Sequence, residues 1–474
     1  MPSILGANEI KATGYDVANS VRFNSADSPT LKDSDGNNAP AGNRQKFTFS
    51  IWFKRSKLGV TQMLASSAYS SGDEGYLYIS GGDVLVWHHS SSGMGQMITT
   101  QKFMDVSAWY HLVWAVDTTQ GTASNRMKFY INGTQITSFG TETYPDQNKE
   151  IYWNVGGTYY PYIGRRHGGD YWDGYLAEVV HIDNSQLAAD SFGEFDEDSG
   201  IWKPIDVSDL TFGTSGYYLD FEDSSDLGKD VSGVGNHFAS TNLAATDQST
   251  DTCTNNFATL SPLRTGIHTL TEGNLEYTAA SSAWKGVFST IGVSTGKWYC
   301  EVKYSSLDGS TFRFYTGIAD ARDFNTVHKV GQNESGRVGD TIGFLPDAAS
   351  PDVLKNGSDA GGSWSTMSVN DILGMAIDCD NGALYFSKNG TWENSSDPES
   401  GASKTGAITF TVGETYLFGF GTYGDSSPQQ QVNFGSPIHS ISSGNTDGDG
   451  YGNFEYAVPS GYFSINTKNL AEYG

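Results

Sequence analysis

The sequence predicts an all-β chain, two antiparallel β-sandwiches joined by an irregular connector. Three observations carry this expectation. Apolar residues recur with a period of two in short runs bounded by Gly, Ser, Asp or Asn, the pattern of half-buried strands. Gly accounts for 57 of 474 residues and aromatics for 13% of the chain against 17% charged, which suits many tight turns and few long amphipathic helices. Finally, Asp371 to Trp392, DILGMAIDCDNGALYFSKNGTW, writes a β-hairpin. Apolar residues alternate through Ile372, Met375 and Ile377 and again through Leu384 and Phe386, and Asn381-Gly382 and Asn389-Gly390 offer the positive φ angles that two-residue hairpin turns need.

A chain of this length exceeds one core, and two domains are the starting expectation. Residues 1–20 read as an N-terminal arm. From Lys46 the strands follow quickly: KFTFSIWFKRS with Phe47, Phe49, Ile51 and Phe53 on one side, then GYLYIS, DVLVWHH, WYHLVWAVD and RMKFYING. The first sandwich is expected over 21–205. Residues 206–262 are rich in Gly, Ser, Thr, Asn and Asp yet hold too many aromatics for a disordered tether, so they read as an ordered connector. A second run of strands, including GKWYCEVKY, FRFYTGIAD, DILGMAIDCDNGALYFSKNG and TYLFGFGTY, places the second sandwich over 263–441, with 442–474 as a tail.

The order FTFSIWFKRS, WYHLVWAVD, FYING, then YIGRR and GYLAEVVHIDN resembles the laminin-G or concanavalin A-like jelly roll. The order GKWYCEV, FYTGIAD, ILGMAIDCDNGALYFSKNG, YLFGFG and VNFG resembles the SPRY (B30.2-type) sandwich. Joined as they are, with RFNSADSPTL, FGEFDEDSGIWKP, TDTCTNNFATL, GNLEYT and GYFSINTKNL as punctuation, the two also resemble proteins of marine bacteriophages. Those are usually taken to be tail fibres or other virion surface proteins.

Composition narrows the partners. The formal net charge of −26 repels phosphate backbones and anionic lipid, which disfavours nucleic-acid and membrane-surface binding. No apolar run approaches the ~20 residues of a membrane span, and the N-terminus lacks the basic and apolar regions of a signal peptide. Cys253, Cys300 and Cys379 lie far apart and form no CxxC pair, so they read as small buried side chains rather than a metal cluster or a disulfide.

For chemistry, Glu194, Asp196 and Asp198 in EFDED alternate like the carboxylates of family-16-type glucanases. The flanking FG and SG read as turns and the last position is Asp where that family has Glu, so an exposed acidic loop is the preferred reading. His88, His89, His111 and His181 fall in or beside strand patterns and read as structural. Calcium is the cofactor the sequence admits: Asn445, Asp447 and Asp449 in NTDGDGYGN alternate ahead of a Gly turn, although Tyr456 stands where an EF-hand has its bidentate Glu. Asp170 and Asp173 in HGGDYWDGY form a second candidate pair at the rim of a laminin-G fold.

Sugar binding needs aromatic faces for pyranose C–H groups together with polar side chains for hydroxyls. The stretch YWNVGGTYYPYIGRRHGGDYW offers both, and Tyr159, Tyr160, Tyr162, Arg165, Arg166, Tyr171 and Trp172 are the candidates there. By the SPRY resemblance, whose partners meet loops at one end of the sandwich, Arg322, Arg337 and Trp364 are candidates in the second domain.

These resemblances imply a non-enzymatic virion surface protein: a tail-fibre or receptor-binding component attaching to host glycans or proteins, made in the host cytoplasm and carried on the particle beside other virion proteins. Weak sites gain avidity by repetition, so a homo-oligomer, a trimer, is expected. A head fibre or capsid decoration is the alternative, since no shaft repeat is present; a polysaccharide depolymerase is the enzymatic one.

Overall fold

Two compact units divide the chain, 12–255 and 256–474. The computed structural model describes residues 14–33, 40–68, 74–89, 91, 93–264, 269–279, 281–306, 314–346, 351–424 and 429–474; residues 1–13 of the expected N-terminal arm lie outside these. The chain is nearly all β, as its periodicity predicts, and the strand pairs are antiparallel except for one parallel contact in the second unit.

In the N-terminal unit one sheet runs, in spatial order, Thr134–Gln135, Met127–Ile131, Trp109–Asp117, Lys46–Arg55, Gly174–Asp183, Ser20–Phe23 and Gln248–Ser249, with Tyr217–Leu219 also pairing Gly174–Asp183. The facing sheet runs Phe139–Thr143, Gln96–Lys102, Val84–His89, Glu74–Ile79, Gln62–Ala68, Tyr160–Ile163, Thr30–Asp33 and Phe238–Thr241. The alternating Phe47, Phe49, Ile51 and Phe53 are fully buried between them. Trp87 meets Trp114 there at a centroid distance of 4.4 Å, and Trp114 meets Trp153 edge-on at 5.1 Å.

The first sheet is covered on its other face as well. Trp52, Val113, Tyr175 and Ala177 point away from the central core and form a second cluster with Phe192, Trp202, Val207, Phe212 and Tyr218. That explains why Lys46–Arg55 and Gly174–Asp183 are buried on nearly every residue.

The stretch read as a connector belongs to this unit as far as residue 255. It supplies Tyr217–Leu219, Phe238–Thr241 and Gln248–Ser249 to both sheets. The fully buried Lys54 ammonium pairs with Asp251 at 2.7 Å, and the Trp109 indole N–H donates to the same carboxylate at 3.1 Å. These partners are distant in sequence, so no local period announces them.

In the C-terminal unit one sheet runs Thr269–Thr271, Glu276–Thr278, Gln429–Asn433, Lys297–Ser306, Ile372–Asp378, Ala383–Lys388 and Thr391–Trp392; the other runs Ser281–Val293, Tyr416–Gly424, Phe314–Asp320, Thr341–Leu345, Asp352–Lys355 and Ser358–Asp359. Trp298, Cys300, Met375, Phe386, Phe418 and Phe420 fill the space between. The tail is part of this unit. Phe463–Ser464 pairs in parallel with Lys297–Ser306, Phe454 and Tyr462 cover Tyr299 and Tyr385, and the buried Glu301 carboxylate accepts the backbone N–H groups of Glu455 and Tyr456 at 3.0 and 2.8 Å.

The hairpin forms with one correction. Asn389 and Gly390 have φ of +48° and +78° and join Lys388 to Thr391 directly, a two-residue turn of the mirror-image kind. Between Asp378 and Ala383 the loop has four residues. Gly382 alone takes positive φ there, +68°, and Asn381 instead donates backbone and side-chain N–H to the Asp378 carboxylate at 2.9 and 2.8 Å.

Candidate functional site

Residues directly opposite one another on adjacent strands share a face. Across the second sheet of the N-terminal unit this gives an outward row in which Lys32 opposes Tyr162, Tyr162 opposes Ser66, Ser66 opposes Tyr76, Tyr76 opposes His88 and His88 opposes Gln96. A parallel row holds Tyr160, Ala68 and Glu74. The intervening residues Leu77, Trp87 and Ile163 enter the core, so the alternation that fills the core also presents a tyrosine-rich surface.

The loop after Tyr160–Ile163 lays cations over these rings. Arg165 lies 5.1 Å from the Tyr162 centroid and 5.5 Å from that of Tyr171. Arg166 lies 5.7 Å from Tyr76 and ion-pairs with Asp170 at 2.6 Å. Lys32 sits 3.6 Å over Tyr160. The loop is fixed by the Ser66 hydroxyl, which donates to the Arg165 carbonyl at 2.9 Å, and by the Arg165 Nε–H, which donates to the Arg166 carbonyl at 2.9 Å. Glu74 is buried, its Oε1 accepts no hydrogen bond, and the His167 ring stands 3.8 Å away. Burial pushes its carboxyl above the ordinary range, against the pull of His167 and Arg166. Burial also pushes the His88 imidazole down.

The structure thus brings together Tyr160, Tyr162, Arg165, Arg166 and Tyr171. Tyr159 belongs to a neighbouring aromatic group, 5.9 Å from Tyr152. Trp172 is a correction: it is fully buried and meets Phe53 edge-on at 5.7 Å. Its indole is part of the core and cannot stack on a ligand. Lys32, Tyr76, Tyr78 and His88 complete the surface without having been candidates. For Tyr76, Tyr78 and His88 the signal was the parity of GYLYIS and DVLVWHH, where they alternate with the core-facing Leu77, Ile79 and Trp87; Lys32 lies on another strand of the sheet.

The second-domain candidates do not build one site. Arg322 forms a two-point pair with Asp320, at 2.9 and 2.6 Å, in its own turn. Arg337 donates to the Gly339 carbonyl. Trp364 packs edge-on against Phe344 and Phe386 and donates to the Gly361 carbonyl at 3.1 Å.

Asp447, Asn445 and Asp173 among the calcium candidates are committed to protein partners. Asp447 Oδ2 accepts from Ser464 N at 2.9 Å, Ser464 Oγ at 2.6 Å and Asn469 Nδ2 at 2.8 Å, while Oδ1 accepts from Asp449 N at 3.1 Å and Tyr451 N at 2.9 Å. Asn445 turns its amide nitrogen to the Ser443 hydroxyl and the Glu455 carbonyl. Asp173 accepts from both Ser25 N and Oγ. Among the described residues no group of three His, Cys, Asp or Glu side chains converges as metal ligands would.

Glu194 and Asp196 both face Lys203, at 3.3 and 3.2 Å. Hydrogen bonds from Ser199 hold Asp196 down to about 2, which suits an acidic turn rather than a proton donor. His111 accepts from the Trp202 indole N–H at Nδ1, 2.9 Å, and so donates from Nε2 to Ser50 Oγ at 2.7 Å; burial pushes it down to about 3. Cys300 and Cys379 are buried and all three cysteines are free thiols.

Residues 30–189 match the family described as "Concanavalin A-like lectin/glucanases superfamily", and that part of the chain has the corresponding lectin-type fold. No curated protein matches. Among solved structures, a putative carbohydrate binding protein from Bacteroides ovatus aligns at 16% identity and TM-score 0.30, over 48% of this chain and 61% of that one. A native heptameric SAP-like pentraxin from Limulus polyphemus aligns at 18% and 0.27, over 37% and 80%. The SPRY domain of human HERC1 aligns at 14% and 0.25, over 33% and 87%.

Proposed function

We propose that the chain is a non-enzymatic glycan-binding protein whose ligand lies on the outer face of the second sheet in the N-terminal unit. The observation that carries this is the row of outward-facing tyrosines, Tyr76 and Tyr160 half-buried and Tyr162 buried beneath Arg165, interleaved with Arg165, Arg166 and Lys32. Ring faces take sugar C–H groups, and guanidinium and ammonium groups donate to hydroxyl or carboxylate oxygens. Burial has already restricted these side chains, which lowers the entropy lost on binding.

The finer reading places the protein on a bacteriophage particle, as a tail-fibre or receptor-binding component, with a head fibre or capsid decoration as the alternative. Its support is the sequence punctuation that joins the two sandwiches. Repetition of a weak site in a homo-oligomer, a trimer, supplies the avidity such a role needs.

Screening the full chain on a glycan array tests the binding function, followed by affinity measurement for the best ligand with Arg165→Ala and Tyr76→Ala variants. The expected outcome is a loss of about tenfold or more per variant at unchanged melting temperature. Glycan affinity indifferent to both substitutions overturns the site. Cryo-electron microscopy of the intact particle tests the location, and density on capsid faces alone removes the tail-fibre assignment.

A further inference from the structure

A concave site lies wholly within residues 256–474, in a different unit and of different chemistry from the sheet face above. It is a groove of about 570 Å³, within the range of small-ligand pockets. Three segments wall it: the two-residue turn into Thr391–Trp392, the start of the 3₁₀ helix Pro398–Ser403, and the tail around Tyr456 and Val458.

These walls are held by specific contacts. Gly390 allows the Tyr456 ring to lie against the turn, since a Cβ there would come within 2.6 Å of the ring. The Tyr456 backbone N–H is fixed by the buried Glu301 carboxylate at 2.8 Å. The Tyr462 hydroxyl donates to the Pro398 carbonyl at 3.0 Å, and Ser460 N donates to Glu399 Oε1 at 2.8 Å. The groove is therefore formed before any ligand arrives.

Its chemistry is aromatic and acidic. Trp392 and Tyr456 supply ring faces, Pro398 and Val458 supply apolar surface, and Asp397 and Glu399 supply two carboxylates with no lysine or arginine among the lining residues. Lys388, the nearest cation in the same hairpin, is turned away to Asp371 and the Thr366 carbonyl, at 3.0 and 2.6 Å. Ring faces attract cations through their quadrupole, and uncompensated carboxylates attract them through charge. A neutral sugar could donate to the carboxylates but would leave both anions without a counter-charge.

We propose that this groove binds an arginine or lysine side chain presented by an extended, basic segment of a partner polypeptide. Fluorescence anisotropy with labelled acetyl-Gly-Arg-Gly-Arg-Gly-amide and the full chain tests it near physiological salt, where surface charge is screened beyond ~8 Å. Asp397→Asn with Glu399→Gln keeps the hydrogen-bond acceptors and removes the charge. Glu197→Gln with Asp198→Asn removes the same charge from an exposed turn of the other unit. The first pair is expected to weaken binding about tenfold or more and the second less than about twofold, because only the groove places charge beside the ring faces. Thr391→Trp, which fills the groove from its exposed lip, is expected to abolish binding. Equal weakening by the two pairs, no peptide binding, or displacement of the peptide by neutral cellohexaose overturns the proposal.

Discussion

Lys54 and Asp251 form a fully buried ion pair at 2.7 Å across 197 residues of sequence. It ties a central strand of the first sheet to the end of the stretch that also supplies three strands of that unit. Removing one partner strands the other charge in the core, so Asp251→Ala is expected to cost ~3–5 kcal/mol. Urea unfolding of the full chain followed by tryptophan fluorescence measures this. A cost below ~1 kcal/mol would mean that water reaches Lys54 and that the stretch is not held by the pair.

Glu178 sits at the bulge in Gly174–Asp183 with φ of +49°. Its carboxyl accepts from the Tyr218 hydroxyl at 2.7 Å and the Tyr15 hydroxyl at 3.3 Å. Burial pushes it from 4.5 up to about 8, with Asp220 and Glu222 adding to the rise against the hydrogen bonds. The folded state thus keeps a proton that the unfolded state releases, and stability falls as pH rises from about 4.5 to about 8. Below that window both states are protonated and the effect vanishes. Melting curves across the window should show the decline, on the order of 1.4 kcal/mol per pH unit at most, and Glu178→Gln should flatten it.

Period-two runs announced both sandwiches, because a strand with one buried face writes its burial into its own sequence. Residues 206–255 carry one short run of that kind, Tyr217, Leu219 and Phe221, which enters the core from the strand Tyr217–Leu219; the rest of the stretch is held by distant partners, as in Asp251 with Lys54, Arg22 with Asp247, and Tyr218 with Glu178. The tyrosine-rich outward surface was half visible for the same reason. Tyr160, Tyr162, Arg165 and Arg166 cluster in sequence, whereas Lys32, Tyr76 and His88 join them only once strand order is known. The Asp447 loop reads as a cation site because alternating acids also make hydrogen-bonded turns, and only the position of Ser464 and Asn469 distinguishes the two.

Asp447 is the anchor of the C-terminal helix Thr467–Tyr473. With five donors already on its two oxygens, chelation by excess EDTA is expected to leave the melting temperature unchanged; a clear drop would restore a bound cation to the loop. Asp447→Ala orphans buried donors on Ser464 and Asn469 at ~1–3 kcal/mol each before relaxation. Hydrogen exchange should then accelerate across Thr467–Tyr473 while the N-terminal unit is unaffected.

Trp172 lies in the core and Tyr76 on the outward row of the second sheet. Trp172 is enclosed by the hydrophobic core and its truncation to Ala leaves a cavity, at an expected ~3–5 kcal/mol. Tyr76 is half-buried on the outward row beneath Arg166, so Tyr76→Ala should cost ~1 kcal/mol or less while carrying the loss of glycan affinity. Denaturation and binding measured on the same two variants check this. A Trp172→Ala protein that keeps wild-type stability but loses ligand would return the indole to the site and contradict its enclosure by Phe53 and the surrounding core.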